Sequence, residues 1–456
     1  MSNLYTSFVK LLKNVHPRVQ WFVMIAGVLM PAIVVTLLPK TFHASDVDDF
    51  WRWSQAWGVN WRNIYIDCGR CNYPFLGTFL SGGVMHWMGI DNFKDIVAPF
   101  RYYLAVVDGL NVLIIYLILE KLKIANAPLW AGVIGLLPSS WVGTSVWGQI
   151  DGIGQLLILS TFALFTWFNL SAKANKTLYY LFLIAAGILI SCMLLTKQLI
   201  IFSLFPLGFM VVVNIFLYSR RPLDIMRSLA VVFISFIAPI LVIDSAIYLQ
   251  YPYFSHLQYV LETGSRHGDI VSSFGFNIWI FLVEEPFGSS HIPIDINLGS
   301  NSIVSITPYT TGIILFILVN ALLLYYFIGY FHKQYKMNVQ YFDREGMLVL
   351  LLHIALVNLS FNLFLTGTHE RYLYHFYPFI IMASLGLFNR KAIYVLLAGA
   401  TYYGAVLYGY LTRLINQFGQ IPYWILGAFH LALYFYLIVL FLRIYRSRCF
   451  EEVRQS

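Results

Sequence analysis

Charge is what this chain has least of. Asp, Glu, Lys and Arg make up only 11% of its 456 residues, less than half of what a soluble protein uses to cover its surface. That excludes a water-soluble globule of this length. Cysteine is nearly as scarce, with four residues. Cys68 and Cys71 form a lone Cys-Gly-Arg-Cys, with no further ligands nearby for a zinc site and no thioredoxin-like αβ context. There is no Gly-rich phosphate loop, no low-complexity tail and no internal repeat. What the chain has instead is apolar surface: 59% hydrophobic residues and a mean hydropathy of +0.72. The net charge of +8 is therefore not a nucleic-acid footprint. In such a chain it reports basic loops on the cytoplasmic side of a membrane.

Apolar stretches of about 20 residues read as transmembrane helices. They fall near 21–39, 98–119, 127–146, 150–169, 177–195, 198–218, 228–250, 305–331, 347–366, 371–388, 392–411 and 422–442. The fold class expected is all-α, one integral membrane domain over residues 1–456 with about twelve spans. The first span is not a cleaved signal peptide, because its apolar run is too long and Leu-Pro-Lys-Thr-Phe-His is no small-residue cleavage site. With the N-terminus inside, every short inside loop carries Lys or Arg, so both termini are expected in the cytoplasm.

That orientation sends every polar cluster to the outer face: Asp46, Asp48 and Asp49 after the first span, Trp147-Gly148-Gln149-Ile150-Asp151, Thr196-Lys197-Gln198, Arg266-His267-Gly268-Asp269, and Thr368-His369-Glu370-Arg371-Tyr372. Their convergence points to one site. The outer segment 40–97 carries the acidic cluster. Trp51, Trp53, Trp57, Trp61 and Trp87 read there as interface residues. Phe50–Trp57 reads as an amphipathic interface helix, and Leu76–Met88 as a second one. The other long outer segment is 251–304, which also holds Glu262, Glu284 and Glu285.

Each cluster also has a plain structural reading. Ser45 suits an N-cap, and acids in a first helical turn favour the helix dipole. Lys197 could snorkel and Arg371 could pair with Glu370. Asp108 and Asn111, with Arg101 outward of them, read as glue between helices, and His353 and Cys192 as packing. Asn358 and Asn362 extend a polar stripe toward Arg371. Asp151 is harder to explain this way. A charge that opens a span costs roughly 2.5–3.5 kcal/mol if it meets lipid, so it is expected to face a cavity. A carboxylate that deprotonates a hydroxyl, with cations that hold a departing phosphate, is the equipment of an inverting glycosyl transfer.

The ordered set resembles the GT-C superfamily of polyprenyl-phosphate-sugar-dependent glycosyltransferases, closest to bacterial relatives of the mannosyltransferase that adds the second mannose of GPI anchors. Asp46 and Trp53 match an Asp-plus-seven-Trp pattern. Gly148, Gln149 and Asp151 match Gly-Gln-x-Asp. Lys197 and Gln198 match a Lys-Gln that opens a span, and His369, Glu370, Arg371, Tyr372 and Leu373 match His-Glu-Arg-Tyr-Leu. Phe274–Trp279 is similar to Asn-Ala-Phe-Asn-x-Trp, while Asn72-Tyr73-Pro74-Phe75 departs from Asp-Tyr-Pro-Pro at both ends.

The resemblance implies Asp46 as the base on the acceptor hydroxyl, with Asp49 and Asp151 as further acids of the catalytic group. It implies Lys197, Arg371 and His369 around the donor phosphate, and Gln149, Gln198, Asn277, Glu370 and Tyr372 around the substrates. The donor would be a polyprenyl-phosphate hexose, such as mannose, and the acceptor a glycan, lipid or protein. No cofactor is called for, and a divalent metal is left open. The expected setting is the inner membrane with the site facing the periplasm. The alternative is a transporter or flippase of a lipid-linked sugar, for which discontinuous helices near mid-membrane and repeated halves would be expected.

Overall fold

The computed structural model describes residues 15–68, 71–171, 175–219, 221–248, 258, 262, 269–273, 275–283, 288–297, 303–336, 342–388 and 390–450. Of the described residues, 82% are helical. Among the described residues, ten helices are long and apolar enough to cross a membrane, which makes this an integral membrane protein. They are α1 (Pro17–Leu37), α3 (Phe93–Lys121), α5 (Asp151–Leu170), α6 (Lys176–Thr196), α7 (Ile201–Tyr218), α8 (Pro222–Tyr248), α9 (Pro308–Lys336), α10 (Arg344–Phe364), α12 (Arg390–Leu411) and α13 (Ile421–Phe450). Between them lie α2 (Ala44–Asn60), α4 (Ala127–Leu136) and α11 (Tyr377–Leu387).

Two of the twelve expected spans are not continuous helices. The stretch 127–146 stops at Leu136, because Leu137 turns extended ahead of Pro138. The chain then runs through a 3-10 turn, Pro138–Ser140, and a π turn, Val142–Val146. The stretch 371–388 begins as a 3-10 turn, Glu370–His375, and becomes regular only as α11, whose first turn holds Pro378. Irregular backbone at membrane depth is tolerated where protein or a cavity surrounds it. Both breaks carry candidate site residues.

The core is built around α10, which is buried from Gly346 to Phe364 and packs against α7, α9, α11 and α13. His353 lies in it between Phe327 and Phe441, as the packing reading expects. By contrast α8 and α9 are mostly exposed, with Phe233, Ile234, Ile317 and Leu318 facing outward.

The segment 40–97 forms helical stretches whose bounds and packing differ in detail from those expected. The helix α2 starts at Ala44, and His43, not Ser45, is its N-cap residue, without a side-chain cap bond. The entry point is fixed by the backbone: His43 N–H donates to the Trp147 carbonyl at 2.9 Å. Trp53 is no interface residue. It is 2% exposed, on the face shared with Val47 and Phe50, and packs edge-on to Phe50 and Tyr73. Trp87, at 73% exposed, fits the interface reading. The second helix runs from Phe75 to Trp87 with a π turn at Phe79–Gly83. Gly82 lets it lie close to α2, since a Cβ there would come within 2.7 Å of the Trp53 Cβ. Cys68 and Cys71 are joined as a disulfide.

Short strands interrupt the all-α picture. Strand β1 (Ser272–Ser273) pairs parallel with β4 (Thr368–His369), and β2 (Ile294–Asn297) pairs antiparallel with β3 (Ile303–Ile306). The first pair ties the outer loop to the segment that carries His369.

Candidate active site

A cavity of about 430 Å³ opens where α2, the turn after α6, α9, α10 and the 366–372 segment meet. Its lining mixes two chemistries. Asp46, Asp49, Asn72, Tyr73, Gln149, Gln198, His369 and Arg371 are polar, whereas Leu199, Ile201, Phe202, Ile313, Phe361 and Leu365 are apolar.

Several polar contacts centre on Asp46. Its Oδ2 accepts the indole N–H of Trp147 at 2.8 Å. It lies 3.3 Å from His43 Nδ1 and 3.9 Å from Arg371 Nη1. The His43 ring stacks on Trp147, which in turn stacks on Tyr410, and the Arg371 guanidinium lies over the Trp147 ring at 5.6 Å. Burial alone would raise the Asp46 carboxyl. The Arg371 and His43 charges outweigh it and hold Asp46 well below the ordinary carboxylate range. The carboxylate is thus ionised and oriented, with one oxygen engaged by protein. Asp49 lines the cavity one helical turn further along α2.

Arg371 serves three carboxylates. Besides Asp46, its Nη1 bonds Glu370 Oε1 at 3.3 Å, and its Nε is 3.7 Å from Asp151 Oδ2. Burial pushes the Glu370 carboxyl up despite Arg371 beside it. Glu370 is 3% exposed and backs the arginine instead of lining the cavity. His369 lines the cavity, edge-on to the Tyr372 ring.

Asp151 and Lys197 form a layer behind this one. Lys197 Nζ donates to Asp151 Oδ1 at 2.7 Å, and each side chain is 3% exposed. Neither lines the cavity. The snorkelling reading of Lys197 therefore fails, because its ammonium is buried and paired. Lys197 is thus committed to Asp151, and Arg371 and His369 are the basic side chains that line the cavity. His375 lies on the far side, with Nε2 3.9 Å from Asp151 Oδ1 and Nδ1 bonded to Gln155 Oε1 at 2.9 Å.

The remaining candidates divide. Gln149 Oε1 accepts the Tyr73 hydroxyl at 3.1 Å, and Gln198 Nε2 donates to the Asn72 carbonyl. Both glutamines line the cavity, as does Tyr372. Asn277 does not. Its amide donates to the Val271 carbonyl and the Thr368 hydroxyl, bracing the strand pair beside His369. Of the Arg266–Asp269 cluster, Arg266, His267 and Gly268 lie outside the described residues, as do Phe274, Glu284 and Glu285. Asp269 faces His291 at an exposed position. Of the two stripe residues, Asn358 bonds Ser203.

His43, Tyr374 and His375 were not legible as site residues. His43 has no motif around it and acts only because Trp147, distant in sequence, stacks on it. Tyr374 and His375 extend the His369–Leu373 run, and that adjacency was the only available signal. Among the described residues there is no group of three or more His, Cys, Asp or Glu arranged to hold a metal ion.

The disulfide sits directly ahead of Asn72 and Tyr73, whose contacts with Gln198 and Gln149 shape the cavity wall. Closing so short a loop restricts the unfolded chain by only roughly 2 kcal/mol. Reduction, or Cys68→Ser with Cys71→Ser, is expected to shift the melting temperature by a few degrees at most while lowering hydrogen-exchange protection at residues 72–78. A melting curve and hydrogen exchange on one sample check this.

Neither a comparison with protein-family models nor one with curated proteins finds a match for this chain.

Proposed function

We propose that the chain is an inverting membrane glycosyltransferase that moves a hexose from a polyprenyl-phosphate sugar to an acceptor hydroxyl at the outer face of the membrane. One observation carries the reading: a single cavity joins an oriented carboxylate and a guanidinium to a wall of Leu199, Ile201, Phe202, Ile313, Phe361 and Leu365. Such a cavity fits an amphiphile with an anionic head and an isoprenoid stem. A soluble nucleotide sugar would leave that apolar wall wet.

In the reaction the acceptor oxygen attacks the anomeric carbon as its proton passes to Asp46. The bond from that carbon to the phosphate oxygen breaks, and its electron pair leaves with the phosphate. Direct displacement inverts the anomeric centre. Arg371, with His369 beside it, meets the charge that develops on the phosphate. Phosphate binding also draws Arg371 away from Asp46 electrostatically, so the carboxylate becomes a better base when the donor is in place. The Asp151–Lys197 pair holds Arg371 from behind without touching the substrates. Basic inside loops favour a site on the periplasmic side, and the disulfide suits an oxidising compartment.

The test is to give purified protein in lipid a panel of polyprenyl-phosphate sugars with glycan and lipid acceptors. The expected result is release of polyprenyl phosphate that depends on acceptor. Movement of intact lipid-linked sugar between leaflets without cleavage would replace the transferase with a flippase.

A further inference from the structure

The helix α3 runs past the site without lining the cavity, yet it carries a buried polar seam on one face: Arg101, Asp108 and Asn111, at spacings of two and then one helical turn. Each member reaches a segment that carries a site residue. Arg101 donates to the Leu38 and Pro39 carbonyls at the end of α1 and to the Ser145 carbonyl. Asn111 donates to the Gly152 carbonyl beside Asp151.

Asp108 is the centre of the seam. Its Oδ2 accepts the Thr144 hydroxyl at 2.6 Å and the Ser145 backbone N–H at 3.3 Å, while its Oδ1 accepts the Tyr374 hydroxyl at 3.3 Å. Thr144 and Ser145 belong to the π turn that delivers Trp147, the donor to Asp46, and Gln149. Tyr374 belongs to the same 3-10 turn as Arg371. One buried carboxylate thus bridges the segment that orients the candidate base and the segment that carries the candidate phosphate ligand. These are the two places where the expected spans break into a π turn and a 3-10 turn, so neither is held within a continuous α-helix. Gly152 permits the approach, since a Cβ there would stand 2.6 Å from Asp108 Oδ1.

We propose that Asp108 is a positioning residue of this site, setting the Trp147–Gln149 turn at its working distance from Arg371. The inference rests on the transferase reading for its kinetic effect but not for its structural one. A misplacement of about 1 Å between reacting groups costs on the order of 100-fold in rate. Asp108→Asn replaces one accepting oxygen with a donor, which must face either Tyr374 or the Thr144–Ser145 pair.

The experiment uses the full chain in lipid nanodiscs and compares wild type with D108N, Y374F and T144V. The rate of polyprenyl-phosphate release, the donor KM, the melting temperature and hydrogen exchange are measured on each. D108N is expected to lose roughly 10- to 100-fold in kcat with donor KM within about twofold. The milder Y374F and T144V are expected to lose less, and Y374F added to D108N to cost little more than D108N alone. In hydrogen exchange D108N is expected to lose protection in 144–149 and 370–375 together. Wild-type kcat in folded D108N, or a lower melting temperature with kcat per folded molecule unchanged, overturns the positioning role. If wild type releases nothing from any donor, the transferase reading falls, and the exchange data alone decide. Protection unchanged in both segments, or lost in one only, then overturns the bridge.

Discussion

Replacing Asp46 with Asn should abolish transfer, lowering kcat by about 10²–10⁴, the range that a positioned general base supplies. The substitution keeps the shape of the side chain, and an amide oxygen can still accept the Trp147 indole N–H that now meets Oδ2. The fold is therefore expected to survive, and donor KM to change little. What the amide cannot do is take a proton from the acceptor. Release of polyprenyl phosphate and the melting temperature should be measured together. A folded D46N protein with full activity would move the base to Asp49, which lines the same cavity, and the geometry around Asp46 would then be structural.

Arg371→Gln should have the largest combined effect. It removes the cation that three carboxylates share. Loss of one partner from a buried ionic group costs about 3–5 kcal/mol, because Asp46, Asp151 and Glu370 would lose their shared guanidinium and keep His43, Lys197 and His369 respectively beside them. Loss of phosphate stabilisation should lower kcat by roughly 10²–10³ besides.

The pH dependence has a definite sign. Asp46 is held below its ordinary value of 3.8 in the folded protein, so its interactions stabilise the fold at pH above that value and are lost as pH falls through the folded one. Without Arg371 that contribution shrinks. The stability gap between wild type and R371Q should be full at neutral pH and should narrow below about pH 3.8, the ordinary value from which the Asp46 shift is measured. The acid limb of the residual activity should move upward in R371Q. Denaturant titrations and rate profiles across pH check both. An acid limb that stays in place would show that Arg371 does not set the state of Asp46.

The sequence made the cast of this site legible better than its depth. Asp46, Gln149, Gln198, His369, Arg371 and Tyr372 all line one cavity, and what betrayed them was polarity at the ends of apolar runs. Nothing in that signal separates a side chain facing the cavity from one buried a layer behind it. Lys197 and Asp151 look alike in the sequence and prove to be each other's partners. The bridging role of Asp108 was hidden for a related reason. It reads as glue between helices, which it is, but its partners Thr144 and Tyr374 sit in breaks that hydropathy alone counts as spans. Hydropathy measures what lipid accepts, and a turn enclosed by protein passes the same test.

The helix α10 shows that ambiguity from the other side. It is buried from Gly346 to Phe364 in the finished bundle, and its mean hydropathy is 2.1. A packed apolar interior and passage into the bilayer both call for that composition. When α10 leaves the ribosome, α11, α12 and α13 have yet to be made, so one flank must wait in lipid. The stretch that follows α10 carries His369 and Arg371 and packs against α10 and α11. Asp46 and Gln149, on earlier segments of the chain, therefore reach the membrane well before the partners they meet in the cavity are made.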